Sequence, residues 1–146
     1  MWNLTMLPIP LFEGKYSITM DGKVYSHERF ASDGRLIPGH WMKLHKDKDG
    51  YNRVCLSLGK RKHQKLFRVC RLVASTYLIP DPVRTVVNHK NGIKDDDRVE
   101  NLEWVTVQEN TQHAWVSGLC TPYDRAKPYN REGIVQSNKR RKKRGI

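Results

Sequence analysis

One histidine and three asparagines stand at spacings that can bring their side chains together. His89 follows Asn88 directly, Asn101 lies twelve positions after the histidine, and Asn110 lies nine positions further on. An imidazole exchanges a proton near neutral pH, and an amide oxygen is a ligand that a hard cation accepts. Each residue alone has a simpler interpretation, because a single histidine is more often structural and asparagine favours turns and caps.

The elements predicted around these residues follow the order strand, loop, strand, helix. Residues 86–90 are predicted to form a short strand that ends in polar residues, residues 91–98 a loop, and residues 101–105 a second strand. Residues 106–109 have the pattern of a capping box, and the helix that they open closes at Gly118. A hairpin packed against this helix would bring the histidine and the asparagines to one end of the module.

The preceding residues predict a helix and, before it, a β-rich segment. Apolar residues recur at helical spacing from Val69 to Tyr77, and Pro80 and Pro82 stop the run. From Leu11 to about Leu66, short β-like runs are separated by Asp-Gly turns, of which the first, at residues 21–22, indicates a hairpin. A twisted antiparallel sheet is the expected arrangement.

Several of these motifs together resemble the HNH nuclease family, and in particular the phage and intron-encoded HNH homing endonucleases. The resemblance depends on residues 87–92, 100–106 and 109–110, supported by Arg71-Leu72-Val73-Ala74. It implies an α+β fold with a small antiparallel β-rich DNA-binding module at residues 1–66. A ββα-metal HNH nuclease module at residues 67–118 would follow. By its composition, the basic tail at residues 119–146 is expected to be disordered or to fold only on a polyanion.

The resemblance also implies roles for the residues first considered. His89 would be the general base that takes a proton from water. Asn88 and Asn110 would hold one Mg²⁺ or Mn²⁺ ion, with waters and DNA phosphate completing the octahedron that Mg²⁺ prefers. Asn101 would brace the hairpin loop and orient the histidine, and His113 would contact the phosphate.

The chain departs from the family pattern at two of these places. Many members carry Asp at the position of Asn88, although a neutral Asn there is also common. Cys70 stands where the family usually has His before Arg-Leu-Val-Ala.

The run Asp95-Asp96-Asp97 lacks the alternating spacing of a calcium loop, so we expect it to form a solvated loop.

The charge of the chain favours a polyanionic partner. The formal net charge is +12, and residues 119–146 contain nine Lys and Arg against Asp124 and Glu132. The alternative is that basic residues in the β-rich segment form only a solvated edge. The residues expected to contact DNA are Lys43, Lys46, Lys48, Arg53, Lys60, Arg61, Lys62, Lys65, Lys139, Arg140, Arg141, Lys142, Lys143 and Arg144.

The remaining features predict a cytoplasmic protein of a bacterial or phage-infected cell. Three separated cysteines and the absence of a CxxC pair argue against a disulfide framework and a structural zinc site. Neither a signal peptide nor an apolar run of membrane-spanning length is evident. No small-molecule cofactor is expected, and a monomer is favoured.

The leading functional prediction is a Mg²⁺-dependent endonuclease of the homing type that nicks or cuts double-stranded DNA. A DNA-binding protein with a vestigial nuclease site is the first alternative, supported by the neutral Asn88. An RNA-binding protein is the second, supported only by the basic tail.

Overall fold

The computed structural model of the chain describes residues 5–57 and 64–120. These residues form a mixed, strand-rich fold with small antiparallel sheets and two α-helices, which confirms the predicted α+β class. Among the described residues, those up to Gln112 and those from His113 onward belong to two separate units. The division into modules at residue 66 stays a prediction.

The strands of the described residues are short, and all of them lie in the first unit. In chain order they are β1 (Met6–Pro8), β2 (Tyr16–Thr19), β3 (Val24–Ser26), β4 (Arg29–Phe30), β5 (Leu36–Ile37), β6 (His40–Trp41), β7 (His45–Lys46), β8 (Asn52–Ser57), β9 (Gln64–Arg68), β10 (Val86–His89) and β11 (Leu102–Val105). The helices are α1 (Val69–Tyr77) and α2 (Val107–Val116), with a 3₁₀ turn at Val99–Asn101.

The β-rich segment forms three small sheets, where the sequence pattern predicts one. One sheet has the order β1-β2-β3-β6, another pairs β4 with β5, and the third has the order β7-β8-β9. The physical reason is that the strands are only two to six residues long. Pro38 and Gly39 follow β5 and interrupt pairing, so the chain returns to the first sheet with β6 instead of extending the second.

The predicted hairpin at residues 21–22 is confirmed, and its turn lies against the second half of the chain. Gly22 has a φ of +85°, a conformation that favours glycine. A Cβ atom there would lie 3.0 Å from the Cβ of Asp97 and 3.0 Å from a methyl carbon of Val69. Both the backbone conformation and the close approach therefore require a glycine at this turn.

Helix α1 is the element around which the core is built. It ends before Pro80, as predicted, and buries Val69, Leu72 and Val73. Its apolar side chains join a cluster that also contains Ile18 and Val24 of the first sheet. The same cluster includes Val54, Leu56 and Leu102, so a single core supports both the β-rich segment and the β10–β11 hairpin.

Helix α2 begins with the capping box that the sequence predicts. The backbone amide of Thr106 donates to a carboxylate oxygen of Glu109 at 2.8 Å, and the amide of Glu109 donates to the Thr106 hydroxyl at 3.1 Å. Hydrogen bonding to Arg84 and to the Thr106 amide lowers the pKa of Glu109 to about 2. This contribution to stability is therefore complete above the ordinary pKa of 4.5 and is lost as the pH falls toward 2.

We expect Thr106→Ala to lower the free energy of unfolding by about 1 kcal/mol, since the cap of α2 loses its hydroxyl. Thr111→Ala is the matched control, because that exposed threonine only returns a hydrogen bond to the carbonyl of Val107 within the helix. Urea unfolding of both variants measures the difference. Equal stability of the two variants would show that the capping box does not stabilise the fold.

Candidate active site

The β10–β11 hairpin places Asn88 and His89 at the end of a strand and buries both. In its register, Asn88 lies opposite Glu103 and His89 opposite Leu102. The two side chains are 6% and 5% exposed. The amide nitrogen of Asn88 donates to a carboxylate oxygen of Glu103 at 2.8 Å. This hydrogen bond fixes the amide so that its oxygen remains available as a ligand.

A pocket of about 190 Å³ brings together three of the residues that the sequence predicts at the site. Asn88, His89 and Asn110 all line it. The other lining residues are Tyr51, Arg68, Cys70, Arg71, Val86 and Val87. The convergence follows from the predicted order of strand, strand and helix, since α2 carries Asn110 in its first turn back to the end of β10. The catalytic and metal-binding roles of these residues stay predictions.

Asp97 contacts the His89 ring, and sequence reasoning missed it. The carboxylate is 4% exposed, and one oxygen lies 3.3 Å from Nε2 of the imidazole. Its other oxygen accepts a hydrogen bond of 2.8 Å from the side-chain amide of Asn52 in β8. The expectation of a solvated loop is therefore wrong at this residue, because β8 and the Gly22 turn enclose it.

The contact between His89 and Asp97 determines which nitrogen of the imidazole ring is available to accept a proton. A carboxylate only accepts hydrogen bonds, so Nε2 carries the ring proton in the neutral imidazole. The lone pair therefore lies on Nδ1. A general base needs such a lone pair to accept a proton. Tyr51 packs against the ring with centroids 5.7 Å apart, which restricts its rotation further.

Asn101 contacts the loop between the two strands. Its side-chain oxygen accepts from the backbone amide of Asn91 at 3.0 Å, and its nitrogen donates to the side-chain oxygen of Asn91 and to the carbonyl of Asp96. These bonds fix the loop residue that immediately precedes Asp97. Any influence of Asn101 on the histidine therefore passes through the loop, and its predicted orienting role stays a prediction.

Cys70 lies at the start of α1 and lines the pocket. Burial, together with the negative charge of Asp97, raises the pKa of its thiol to about 11. The thiol is therefore protonated at neutral pH and is a poor nucleophile. Cys70, His89 and Asp97 each offer a ligand atom, and these atoms lie within 4.8 Å of one another.

Two of the described basic residues that are predicted to contact DNA have acidic partners. Lys46 pairs with Asp95 at 2.5 Å, and Arg53 pairs with Asp47 at 3.2 Å, which reduces the charge that either offers to a phosphate. Lys43, Lys48 and Lys65 are exposed, and so is Lys46 together with its ion pair. The residues Lys60, Arg61, Lys62, Lys139, Arg140, Arg141, Lys142, Lys143 and Arg144 lie outside the described residues.

Two arginines that sequence reasoning did not select also line the pocket. Arg68 lies 3.9 Å above the Tyr51 ring and pairs with Asp47 at 3.1 Å. Arg71 lies over the Trp104 ring at 5.7 Å. The ion pair with Asp47 reduces the charge that Arg68 offers to an anionic group, as it does for Arg53, whereas Arg71 contacts an aromatic ring. His113 belongs to the second unit, where its ring contacts the hydroxyl of Ser117, and its predicted phosphate contact stays a prediction.

The oxygen atoms that the pocket offers as metal ligands fit a hard cation. Asn88 and Asn110 present amide groups, and Glu103 holds the first of them by its nitrogen. Oxygen ligands at a partly solvated position, with room for water and phosphate oxygens, are typical of Mg²⁺ sites. These residues therefore fit the ion that the sequence predicts, although two neutral amides would hold it weakly without DNA.

Two known sequence families match this chain. The NUMOD4 motif matches residues 7–57, and the HNH endonuclease family matches residues 79–112. The nuclease match contains the hairpin, Asp97 and the first part of α2. The segment at residues 79–112 therefore belongs to the HNH endonuclease family, and a NUMOD4 motif precedes it.

Individual relatives support this assignment. DNA endonuclease I-HmuI of Bacillus phage SP01 is 35% identical over 107 residues, which are 73% of this chain and 55% of that protein. The uncharacterized HNH endonuclease L245 of Acanthamoeba polyphaga mimivirus is 36% identical over 111 residues, which are 76% of this chain and 30% of that protein. The chain therefore spans about half or less of the length of these relatives.

A solved structure confirms the predicted fold. The structure described as DNA binding and cleavage by the HNH homing endonuclease I-HmuI has a TM-score of 0.65 and 32% sequence identity. The match covers 82% of this chain and 63% of that chain.

Among the helices of residues 5–57 and 64–120, none has the length and apolar character of a membrane span.

Proposed function

We propose that this protein is a Mg²⁺-dependent endonuclease of the homing type that hydrolyses phosphodiester bonds of double-stranded DNA in the cytoplasm of a bacterial or phage-infected cell. The observation that carries the proposal is the convergence of Asn88, His89 and Asn110 on one pocket in a segment of the HNH endonuclease family. A histidine and two oxygen ligands beside a phosphate are sufficient for metal-assisted hydrolysis.

In this proposal, the residues around His89 prepare it to accept a proton. The Asp97 carboxylate holds Nε2 as a donor and leaves the lone pair on Nδ1. Tyr51 packs beside the ring, with the ring centroids 5.7 Å apart, and restricts its rotation. These contacts hold the general base at a fixed position relative to the phosphate. The histidine then takes a proton from the attacking water.

The other residues bind and orient the substrate. Asn88 and Asn110 would hold the Mg²⁺ ion, with Glu103 fixing the orientation of the first amide. An ion held there would supply polarisation of the scissile phosphate and stabilisation of charge on the leaving 3′-oxygen. Arg71 lines the same pocket and would place positive charge beside the phosphate, whereas the charge of Arg68 is partly neutralised by Asp47.

A cleavage assay with mapped products tests this function. Purified protein is incubated with bacterial and phage genomic DNA in Mg²⁺, and the ends are located by sequencing. We expect cuts or nicks at preferred sites and none when EDTA replaces free Mg²⁺. Bound but intact DNA would instead favour the vestigial alternative, and preferential binding of RNA would favour the third function.

Removal of residues 123–146 is expected to weaken DNA binding without moving the cut site. The deletion removes a net charge of +7, from nine Lys and Arg against Asp124 and Glu132, and none of the residues assigned to the pocket. Each lost phosphate contact reduces the slope of log K against log salt by about 0.9 on duplex DNA. Binding at several salt concentrations measures this slope.

The competing interpretation of this segment is that part of it folds on DNA and reads bases. In that case, truncation would move the preferred cut site even at saturating protein. An unchanged slope together with an unchanged site would show that the segment does not contact DNA.

A further inference from the structure

Cys70, His89 and Asp97 form a cluster of metal-binding side chains that the proposed reaction uses only in part. They come from α1, from the end of β10 and from the following loop, and they are 4%, 5% and 4% exposed. A thiolate, an imidazole and a carboxylate are the ligands that Zn²⁺ takes in proteins. The proposed hydrolysis requires no thiol, so Cys70 has no role in it.

The ligand atoms of this cluster differ in charge and in chemical softness from the proposed Mg²⁺ ligands beside them. A thiolate and a carboxylate together carry two negative charges, which neutralise a buried divalent cation. Asn88 and Asn110 offer neutral oxygen ligands, which suit Mg²⁺. A thiolate selects softer cations such as Zn²⁺, so the two sets of ligands prefer different metals.

The distances in the cluster fit a tetrahedral ion. Zinc binds nitrogen and oxygen at about 2.0–2.1 Å, so two such ligands in a tetrahedron lie about 3.3 Å apart. The imidazole nitrogen of His89 and the carboxylate oxygen of Asp97 are 3.3 Å apart. All three ligand atoms lie within 4.8 Å of one another, and sulfur lies about 3.5 Å from such a ligand in a tetrahedral zinc site, so the thiol needs to move by roughly 1.3 Å or less.

We propose that Cys70, His89 and Asp97 form a second metal site, for a thiophilic divalent cation such as Zn²⁺, and that occupation of this site switches the nuclease off. The inhibitory part rests on the proposed function, whereas the binding part does not. On binding, the thiol proton is released to solvent and the sulfur donates its lone pair to the ion. Water in the pocket, which Cys70 and His89 line, would fill the fourth position.

Inhibition follows from the single lone pair of a neutral imidazole. If the cation binds Nε2, the ring proton must be on Nδ1, and neither nitrogen can accept another proton. If the cation binds Nδ1, it occupies the lone pair of the general base directly. His89 therefore cannot act as a general base while the second site is occupied, whichever nitrogen binds the ion.

Direct metal binding is the first test, and it does not depend on nuclease activity. The full chain with Cys55→Ser and Cys120→Ser retains Cys70 as its only thiol. Titration of this metal-free protein with Co²⁺ should give one tetrahedral ion per chain and a thiolate-to-metal charge-transfer band, and Zn²⁺ should displace the Co²⁺. Addition of Cys70→Ser should abolish the band, with circular dichroism as the check on folding.

A second variant keeps the test decisive if loss of the buried thiol disturbs folding. Asp97→Asn has nearly the same shape but removes one negative charge, and loss of a ligand should weaken Co²⁺ binding by more than the 10- to 100-fold typical of an outer contact. The absence of the band in the thiol-retaining protein, or its persistence after Cys70→Ser, would overturn the proposed site.

Activity provides the second test. Zn²⁺ should inhibit DNA cleavage at saturating Mg²⁺, and a chelator selective for Zn²⁺ should restore it, whereas additional Mg²⁺ should not. Relief by Mg²⁺ would show competition at Asn88 and Asn110 and would overturn the inhibitory role. If the protein binds the metal but never cleaves DNA, the proposal of a second metal site stands and the nuclease proposal is refuted.

Discussion

Replacement of His89 by Ala is expected to reduce the rate of DNA cleavage by a factor of about 10² to 10⁴, with little change in affinity for DNA. The general base is lost, whereas phosphate contacts made elsewhere are retained. Single-turnover cleavage measures the first effect and gel shift the second. Cleavage at the wild-type rate would show that this histidine is not the base.

Two further variants separate loss of the base from structural damage. His89→Ala leaves the buried Asp97 carboxylate without its ring partner, which destabilises the site. His89→Gln supplies an amide that can donate to this carboxylate but cannot accept a proton, so we expect the same loss of rate with a more stable protein. His40→Ala changes an exposed histidine of β6 and should leave cleavage unchanged.

Changes at the two asparagines are expected to move the Mg²⁺ requirement in opposite directions. Asn110→Ala removes an oxygen ligand, so activity should fall and half-maximal activity should need severalfold more Mg²⁺. Asn88→Asp replaces an amide oxygen by a carboxylate, which holds Mg²⁺ more tightly, so its requirement should fall. Activity across a Mg²⁺ titration measures both shifts.

Glu103 determines how the Asn88→Asp variant must be designed. The native amide donates to this glutamate, and a carboxylate in its place would face a like charge at about the same 2.8 Å. We therefore expect the single variant to be destabilised without metal and to gain more thermal stability from Mg²⁺ than the wild type. The double variant Asn88→Asp with Glu103→Gln restores a donor and should show the lower Mg²⁺ requirement directly.

An increased Mg²⁺ requirement in this double variant would contradict the placement of the side chain on the metal. The same titration of Thr111→Ala is the control, because that residue lies on the exposed surface of α2 outside the pocket. Its requirement should match that of the wild type.

Local sequence patterns were sufficient to predict the elements that form the pocket. The turn at Gly22, the end of α1 before Pro80 and the capping box of α2 all depend on residues close in sequence. The convergence of Asn88, His89 and Asn110 then follows from the order of the elements, because a hairpin and the helix after it share one end.

Contacts between distant segments account for what the sequence did not reveal. Asp97 stands in a run of three acidic residues that is typical of a solvated loop, yet Asn52 and the Gly22 turn bury it from far away in the chain. No local pattern encodes that enclosure. The role of Glu103 was more accessible, since counting the register of a hairpin that ends at His89 places this glutamate opposite Asn88.

Single-turnover cleavage of end-labelled phage DNA, with the chemistry of the cut ends determined, tests the central claim most directly. The claim predicts strand breaks with 3′-hydroxyl and 5′-phosphate ends that form in Mg²⁺, disappear in EDTA and are lost in His89→Gln under conditions where the DNA stays bound. DNA that remains intact at saturating protein and Mg²⁺, or breaks that form equally well in EDTA, would contradict the assignment of this pocket as a Mg²⁺-dependent nuclease site.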